Sequence, residues 1–227
     1  MREIRGCGTA LITPFDDHYE VDYQSFRALV SRQLYAGIDF LVPLGTTGET
    51  PCLEDEEKEI ILETVIELNN GQVPVVAGAG SNSTKKVISN ISRLSKYKPD
   101  AFLVVVPYYN KPTQEGIWLH FKAISESTSL PLILYNIPGR TGTNMTVETT
   151  LRLAELDNIV AVKEASGNYE QISEIIRLAP TGFSVFSGND DVTFPYMCTG
   201  AKGVISVASN IAPSPIVKMT RLLSAGR

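Results

Sequence analysis

The chain has 227 residues, of which 43% are hydrophobic, and its mean hydropathy is +0.02. This is the composition of a globular protein of one or two domains that can bury a core without disulfides or metal ions. A net charge of −5 argues against non-specific nucleic-acid binding, which needs an excess of Lys and Arg. The longest apolar run, Ala101 to Val106, is too short to span a bilayer, and two histidines with three cysteines predict no zinc site.

The N-terminus and the cysteines indicate a cellular compartment. The segment from Met1 to Gly6 lacks the apolar core of a signal peptide, which predicts a cytoplasmic protein. Cys7, Cys52 and Cys198 are an odd number with no close pair, as expected in a reducing compartment. All three are predicted to be small side chains that fill the core.

One unit recurs along the chain: a short apolar run, a loop with Gly, Pro or Asn, and an amphipathic helical pattern. The apolar runs begin near Gly8, Phe40, Pro74, Ala101, Leu130, Ile159, Phe183 and Gly203. They are continuously apolar rather than alternating, which is typical of parallel strands covered on both faces.

Helical patterns fill the gaps between the apolar runs. The first ends at Gly37, a good C-terminal cap, and the second, Glu54 to Leu68, begins with acidic residues that suit the helix dipole. In the last, Ser214 is the predicted N-cap and Pro215 the first helical residue. The other patterns follow Ser83, Thr113, Thr146, Asn168 and Asn189.

Eight units without a linker predict an α/β protein in which residues 1–227 form a single (β/α)₈ barrel domain, a TIM barrel. A doubly wound open sheet is the competing architecture, and periodicity alone does not exclude it. In a barrel, the residues after each strand lie on one face, so function is expected in those loops. They contain hydroxyls, phenols, one lysine and one arginine, which indicates carbonyl chemistry through a lysine amine.

Lys163 is the predicted nucleophile, because it follows the apolar run that begins at Ile159. Partial desolvation at the mouth of a barrel would lower its pKa and free a neutral amine. The alternative is a lysine that extends from the strand end to solvent. Tyr135 also ends a strand, where its phenol either exchanges protons with a substrate or closes the core.

Two glycine-rich loops and an arginine are further candidates. The segment Gly45-Thr46-Thr47-Gly48 offers backbone N–H groups and hydroxyls to a carboxylate, or is a turn with threonine caps. Gly78 and Gly80 lie in half of a dinucleotide fingerprint, but they predict a tight turn instead. Arg140, which has glycines nearby, suits bidentate carboxylate recognition, with a surface arginine as the alternative.

Four segments in order resemble the 4-hydroxy-tetrahydrodipicolinate (dihydrodipicolinate) synthase family. They are Gly45-Thr46-Thr47-Gly48-Glu49, Pro107-Tyr108-Tyr109-Asn110, Tyr135-Asn136-Ile137-Pro138 with Arg140-Thr141-Gly142, and Val162-Lys163-Glu164-Ala165-Ser166-Gly167. The family consists of pyruvate-dependent class I aldolase-like barrels within the N-acetylneuraminate lyase superfamily. The resemblance runs from about Gly6 to the end of the chain.

The resemblance implies a lyase that condenses pyruvate with L-aspartate 4-semialdehyde, a step of lysine and diaminopimelate biosynthesis. It implies that Lys163 forms an imine with pyruvate and that no other cofactor and no metal is needed. Tyr135, Thr47 and Tyr109 match the proton-relay positions, with Tyr135 as the immediate acid and base. The implied substrate-binding residues are Thr46, Thr47, Arg140, Ile205 and Gly188.

The resemblance also implies partners and a shorter C-terminus. Tyr109 would reach into the site of a neighbouring subunit, so a homodimer or homotetramer is expected, with no nucleic-acid or membrane partner. The family's C-terminal helical extension is absent, which would leave apolar surface on the last helix exposed.

Two alternatives to this function stay open. N-acetylneuraminate lyase and the 2-keto-3-deoxy sugar-acid aldolases share the barrel and the lysine, but usually lack an arginine at the position of Arg140. An alternative of another class is a disabled barrel that only binds keto acids, for which the pair of Lys163 and Tyr135 would be unnecessary.

Inhibition by lysine is expected to be weak or absent. Lysine-sensitive members carry a glutamate where this chain has Lys86, although Asn82 and Tyr108 of a possible allosteric remnant are retained. A cation at Lys86 repels the ammonium of free lysine. A coupled activity assay with added lysine measures this, and an inhibition constant in the micromolar range would contradict it.

Overall fold

The structure is a computed structural model that describes residues 3–227. Its eight strands are β1 (Gly6–Ala10), β2 (Phe40–Val42), β3 (Val76–Gly78), β4 (Ala101–Val105), β5 (Leu132–Asn136), β6 (Ile159–Glu164), β7 (Ser184–Ser187) and β8 (Gly203–Ser206). All eight coincide with the predicted apolar runs. No helix within residues 3–227 is long and apolar enough to cross a membrane.

The helices alternate with these strands. Their bounds are α1 (Tyr23–Tyr35), α2 (Asp55–Asn69), α3 (Thr84–Leu94), α4 (Gln114–Glu126), α5 (Pro138–Thr141), α6 (Val147–Ala154), α7 (Tyr169–Leu178), α8 (Thr193–Thr199) and α9 (Pro213–Ser224). Short 3₁₀ turns follow several strands, including Thr46–Gly48 and Asp190–Val192.

The strands form a parallel sheet that closes on itself. β1 pairs with β2 on one side and with β8 on the other, so the first and last strands of the chain are neighbours. The remaining seam, between β2 and β3, is closed by the parallel bridge of Leu41 with Val75 and by a hydrogen bond from Gly78 N to Pro43 O at 2.9 Å. The predicted (β/α)₈ barrel is therefore confirmed, and the open doubly wound sheet is excluded.

Two apolar layers follow from the two faces of the strands. The barrel interior holds a cluster that includes Phe40 and Phe186, whose rings meet edge to face at 5.6 Å between centroids. A larger cluster lies between the strands and the surrounding helices. Because successive side chains of a strand point to opposite faces, alternate residues belong to alternate layers.

Most of the predicted helix ends are confirmed. The side chains of Ser83, Thr113, Thr146 and Asn168 are N-caps, and each accepts a hydrogen bond from a backbone N–H in the first turn. Gly37 follows α1 with a φ of +76°, the left-handed conformation that ends a helix. After Asn189, a 3₁₀ turn precedes α8.

The predicted start of the last helix is wrong by two residues. α9 begins at Pro213 with Ala212 as its N-cap, so Ser214 and Pro215 both lie inside the first turn. The first turn of a helix tolerates two prolines because its backbone N–H groups have no partner within the helix. The sequence therefore could not show whether Pro213 or Pro215 begins the helix.

Two further expectations are corrected. Cys7 is buried, but Cys52 and Cys198 are exposed, because Cys52 lies in a loop after β2 and Cys198 on the outer side of α8.

The tight turn predicted at Gly78 does not explain the glycine there, since the φ angle of Gly78 is not in the left-handed region. A Cβ at Gly78 would lie 1.8 Å from the carbonyl oxygen of Leu44, so close backbone packing at the seam requires glycine there.

The exposed apolar surface near the end of the chain lies on α8 rather than on the last helix. Phe194 of α8 is 60% exposed, and a shallow groove beside it is lined by the half-buried Met219, Leu222 and Leu223 of α9.

A buried histidine predicts loss of stability in acid. His120 of α4 is 5% exposed, its Nδ1 lies 2.8 Å from the Thr84 hydroxyl, and its Nε2 has no partner. Burial lowers the pKa of His120 to about 4, whereas an unfolded histidine titrates near 6.5. Between these values the unfolded chain binds a proton that the native chain does not, so stability falls as the pH drops. From pH 7 to pH 5 we expect His120 to remove about 2 kcal/mol.

Urea denaturation at the two pH values measures this loss. The variant His120→Gln is expected to lose less stability between pH 7 and pH 5 than the parent chain. The matched control is His18→Gln, because His18 is exposed. Equal losses in the parent and His120→Gln would contradict the prediction.

Candidate active site

Lys163 points into the barrel near the carboxyl ends of its strands. It belongs to β6, where Ala161 also faces the interior cluster and Val162 faces the helices. Lys163 pairs in register with Tyr135 of β5, and its Nζ lies 4.2 Å from the centre of the Tyr135 ring. Its side chain is buried, with the residue only 4% exposed. The alternative of a lysine that extends to solvent is therefore excluded.

The surroundings of Lys163 favour the neutral amine. Burial lowers its pKa to about 8, because the charged form loses its hydration. The guanidinium of Arg140 lowers the pKa as well, whereas the carboxylate of Asp190 raises it. At pH 7 about a tenth of a group with this pKa is neutral, far more than for an exposed lysine. The amine is thus available for attack on a carbonyl.

Tyr135 is a protonated phenol next to this amine. Burial raises its pKa, and the side chain of Thr46 and the charge of Arg140 lower it by smaller amounts. The phenol therefore keeps its proton at neutral pH and is able to donate it to an oxygen nearby. Its side chain faces the barrel interior because it lies two residues after Ile133, on the same face of β5.

A cavity of about 430 Å³ opens beside Tyr135. Its lining includes the candidate residues Thr46, Tyr108, Tyr135 and Arg140. The charged residues of the lining are Lys58, Lys86 and Arg140, all of them cations. A cavity of this size and charge suits a small ligand that carries carboxylates.

The remaining candidate residues, Lys163 included, do not belong to the lining of this cavity. Thr47 is half-buried next to Thr46 in a 3₁₀ turn, and Gly188 and Ile205 lie at the ends of β7 and β8. Tyr109 is 88% exposed, and its φ of +71° is a strained conformation for a residue with a side chain. Asn82 accepts a hydrogen bond from the Asn110 side chain at 3.3 Å.

Lys86 has an ionic partner in this chain. Its Nζ lies 3.0 Å from Asp55, which also binds Lys58 at 3.2 Å and Arg93 at 3.0 Å. One carboxylate thus holds three cations at this end of the cavity. The expected weak response to lysine stays a prediction.

A buried carboxylate on the outer face of β6 links the strand ends that carry Lys163 and Tyr135. Glu164 accepts hydrogen bonds from the side chains of Asn136 and Gln171, both at 3.0 Å, and from the N–H of Ser166 at 2.8 Å. Burial nevertheless raises the pKa of this carboxyl. These bonds join the ends of β5 and β6, which carry Tyr135 and Lys163.

Sequence reasoning missed one charged residue of the site. Asp190 follows Gly188 and Asn189, which were recognised as part of the loop after β7. An acidic pair, Asp190 and Asp191, was visible there, but nothing in the sequence indicates that only Asp190 acts on Lys163.

The fold and the site define an enzyme of the aldolase type, a (β/α)₈ barrel with a buried lysine of lowered pKa at the carboxyl end of β6. A sequence model of the Dihydrodipicolinate synthetase family matches residues 3–227, and the chain belongs to this family. The predicted family, fold and lyase class are thereby confirmed, and the synthase is favoured over the sugar-acid aldolases.

Curated and structural relatives agree with this assignment. The 4-hydroxy-tetrahydrodipicolinate synthase of Parabacteroides distasonis is 52% identical over 224 residues, 98% of this chain and 75% of that protein. A structure of a chloride-inhibited dihydrodipicolinate synthase from Acinetobacter baumannii, complexed with pyruvate, superposes with a TM-score of 0.96 at 40% identity and covers 98% of this chain and 77% of that one. A structure described as the first monomeric dihydrodipicolinate synthase variant gives 0.95 at 45% identity and covers 98% and 75%.

Proposed function

We propose that this chain condenses pyruvate with L-aspartate 4-semialdehyde through an imine on Lys163, to give 4-hydroxy-tetrahydrodipicolinate. The observation that carries the proposal is the buried amine of Lys163, with a pKa of about 8, against the Tyr135 ring. The family relationship supports the choice of substrates. That residues 1–227 form one barrel domain and that the protein is cytoplasmic both stay predictions.

The first half of the reaction joins pyruvate to the enzyme. The lone pair of Lys163 Nζ attacks the C2 carbonyl of pyruvate, and the carbonyl oxygen takes a proton from the Tyr135 phenol. The Tyr135 phenolate takes back a proton from the nitrogen, which leaves a neutral carbinolamine. Tyr135 then protonates the hydroxyl of the carbinolamine, and water leaves to give a protonated imine with the positive charge on the nitrogen. The phenolate left by this step takes a proton from C3, which neutralises the charge and gives the enamine.

The second half forms the carbon–carbon bond and releases the product. C3 of the enamine attacks the aldehyde carbon of the semialdehyde, and the new alkoxide takes a proton from the relay. The amine of the former semialdehyde then attacks C2 and closes the ring, which releases Lys163 as the free amine. No external cofactor is needed, because the imine itself stores the electrons. The electron pair of the broken C3–H bond is delocalised onto the imine nitrogen in the enamine, and C3 then uses it to form the new carbon–carbon bond.

The proton relay uses Tyr135 with two further residues. Tyr135 is the immediate acid and base, and Thr47 links it to a second phenol, Tyr109. The exposed ring of Tyr109 is available to a second copy of the chain, which supports a homodimer or homotetramer. The side chain of Thr46 interacts with Tyr135 in the single chain, so Thr46 also bears on this phenol.

Substrate carboxylates are bound on either side of the reacting centre. Thr46 and Thr47 hold the carboxylate of pyruvate, and Arg140 that of the semialdehyde. The exposed position of Arg140 in α5, at the cavity mouth, supports a role at the entrance. The backbone of Ile205 faces the imine, and Gly188 contributes to substrate binding.

Reductive trapping tests the proposal. Borohydride added with pyruvate reduces the imine to a stable secondary amine, and we expect intact mass and peptide mapping to place a pyruvate-derived adduct on Lys163. Borohydride alone is the control. No adduct from folded protein would reject the imine and favour a barrel that only binds keto acids.

Arg140→Ala is expected to weaken use of the aldehyde more than use of pyruvate. Removal of a bidentate partner of a carboxylate costs about 2 kcal/mol, so the apparent KM for the semialdehyde should rise roughly 30-fold. Steady-state kinetics with each substrate varied measure the two constants. Arg152→Ala is the control, since Arg152 lies over Trp118 and binds Glu115 away from the site. An equal rise in both KM values would contradict the assignment.

A further inference from the structure

The carboxylate of Asp190 connects the loops that follow β7 and β8. Its Oδ1 accepts a hydrogen bond from the Ser206 hydroxyl at 2.5 Å. Its Oδ2 accepts the backbone N–H groups of Val207 at 2.9 Å and Ala208 at 3.0 Å. All three donors belong to the end of β8 or to the turn directly after it. Asp190 therefore fixes the point at which β8 leaves the barrel, one residue beyond Ile205.

The same carboxylate acts on the reactive lysine. Three groups act on Lys163. The Tyr135 ring of β5 lies 4.2 Å from its Nζ, and the charges of Arg140 in α5 and of Asp190 in the loop after β7 shift its pKa in opposite directions. Burial and Arg140 both disfavour a positive charge on the Lys163 nitrogen, and Asp190 favours it. Within residues 3–227, Asp190 is the carboxylate that opposes the other two effects.

This balance matters because the charge on the nitrogen changes during the proposed reaction. The free amine is neutral when it attacks, the imine is protonated and positive, and the enamine is neutral again. A fixed negative charge in a desolvated site stabilises the positive species more than the neutral ones. The three hydrogen bonds to Asp190 hold that charge in place, so little reorganisation is needed when the imine forms.

We propose that Asp190 is a positioning residue that holds the end of β8, with the Ile205 backbone, beside Lys163 and stabilises the protonated imine by its charge. This inference rests on the proposed imine mechanism. Asp190 neither gives nor takes a proton in any step. Its role is distinct from that of Glu164, whose carboxylate lies behind the strands.

Three substitutions separate the charge of Asp190 from its hydrogen bonds. Asp190→Asn keeps the size of the side chain and removes the charge. Ser206→Ala removes one of the three hydrogen bonds and keeps the charge. Asp191→Asn is the matched control, because Asp191 is an exposed carboxylate in the same turn and does not act on Lys163.

The first measurement needs no pyruvate. Competitive acetylation with acetic anhydride between pH 6 and pH 10, followed by peptide mass spectrometry, gives the pKa of the Lys163 amine. We expect this pKa to fall by roughly half a unit to one unit in Asp190→Asn, because the opposing carboxylate is lost. We expect no comparable change in Asp191→Asn or Ser206→Ala. A loop that merely unravels would not produce this pattern.

The second measurement uses reductive trapping with pyruvate at pH 9, where the amine is largely neutral in each variant. We expect the rate of adduct formation to fall severalfold in Asp190→Asn, because its protonated imine is less stable. An unchanged pKa and trapping rate in Asp190→Asn with a native circular dichroism spectrum would overturn the proposal. So would an equal pKa shift in Ser206→Ala.

The two proposals fail in different ways. If the parent chain forms no adduct with pyruvate, the imine mechanism is rejected, whatever the pKa of Lys163. If the parent forms the adduct but Asp190→Asn behaves like Asp191→Asn, the mechanism stands and the role of Asp190 is rejected.

Discussion

Replacing Lys163 with alanine is expected to abolish adduct formation and to lower kcat by at least about 10³-fold, because no other group supplies the nucleophile. Trapping with borohydride and a coupled activity assay measure the two effects. Lys163→Met is a second variant that keeps the side-chain volume. Lys202→Ala is the control, since Lys202 is exposed at the opposite end of β8. A pyruvate adduct that persists in both Lys163 variants would contradict the assignment.

Replacing Lys163 with methionine is expected to stabilise the fold. Burial lowers the pKa of Lys163 from 10.5 to about 8, so below pH 8 the native state holds a charged amine less favourably than the unfolded chain does. This difference costs up to about 3 kcal/mol at neutral pH. Lys163→Met should therefore unfold at a higher urea concentration at pH 7, with a smaller gain above pH 10. Lower stability at both pH values would contradict the expectation.

Tyr135→Phe is expected to lower kcat roughly 100-fold while pyruvate still forms an adduct with Lys163. The variant keeps the ring that lies 4.2 Å from Lys163 Nζ and removes only the phenolic proton. The loss should therefore fall mainly on kcat, with a small change in the KM for pyruvate. Steady-state kinetics and the rate of reductive trapping separate the two.

The control for this variant is another buried phenol. Tyr196→Phe removes a hydroxyl from α8, where the side chain packs outside the barrel. We expect its kcat to be that of the parent chain. A kcat in Tyr135→Phe equal to that of Tyr196→Phe would show that the phenol takes no part in proton transfer.

The sequence by itself determined the eight strand-and-helix units and indicated the candidate reactive groups, whereas periodicity alone left both a barrel and an open sheet possible. The chain has eight continuously apolar runs, as is typical of parallel strands, and a helical pattern follows each. These patterns determine the order of strands and helices, because hydrophobic periodicity is a local property of the sequence. The helix starts after Ser83 and Thr113 were equally readable, since the signals that start a helix lie within a few residues of it. Lys163, Tyr135 and Arg140 were recognised by their place after strands and by the family resemblance.

Only the tertiary structure decided how these groups act on one another. The depressed pKa of Lys163 depends on burial among residues from several strands, and the opposing charge of Asp190 depends on a loop fixed by Ser206 and the turn after β8. The burial of His120, with a hydrogen bond to Nδ1 but none to Nε2, likewise results from the packing of α4 against α3. Desolvation and Coulomb energies depend on distances between residues far apart in the chain, and no local pattern encodes those distances.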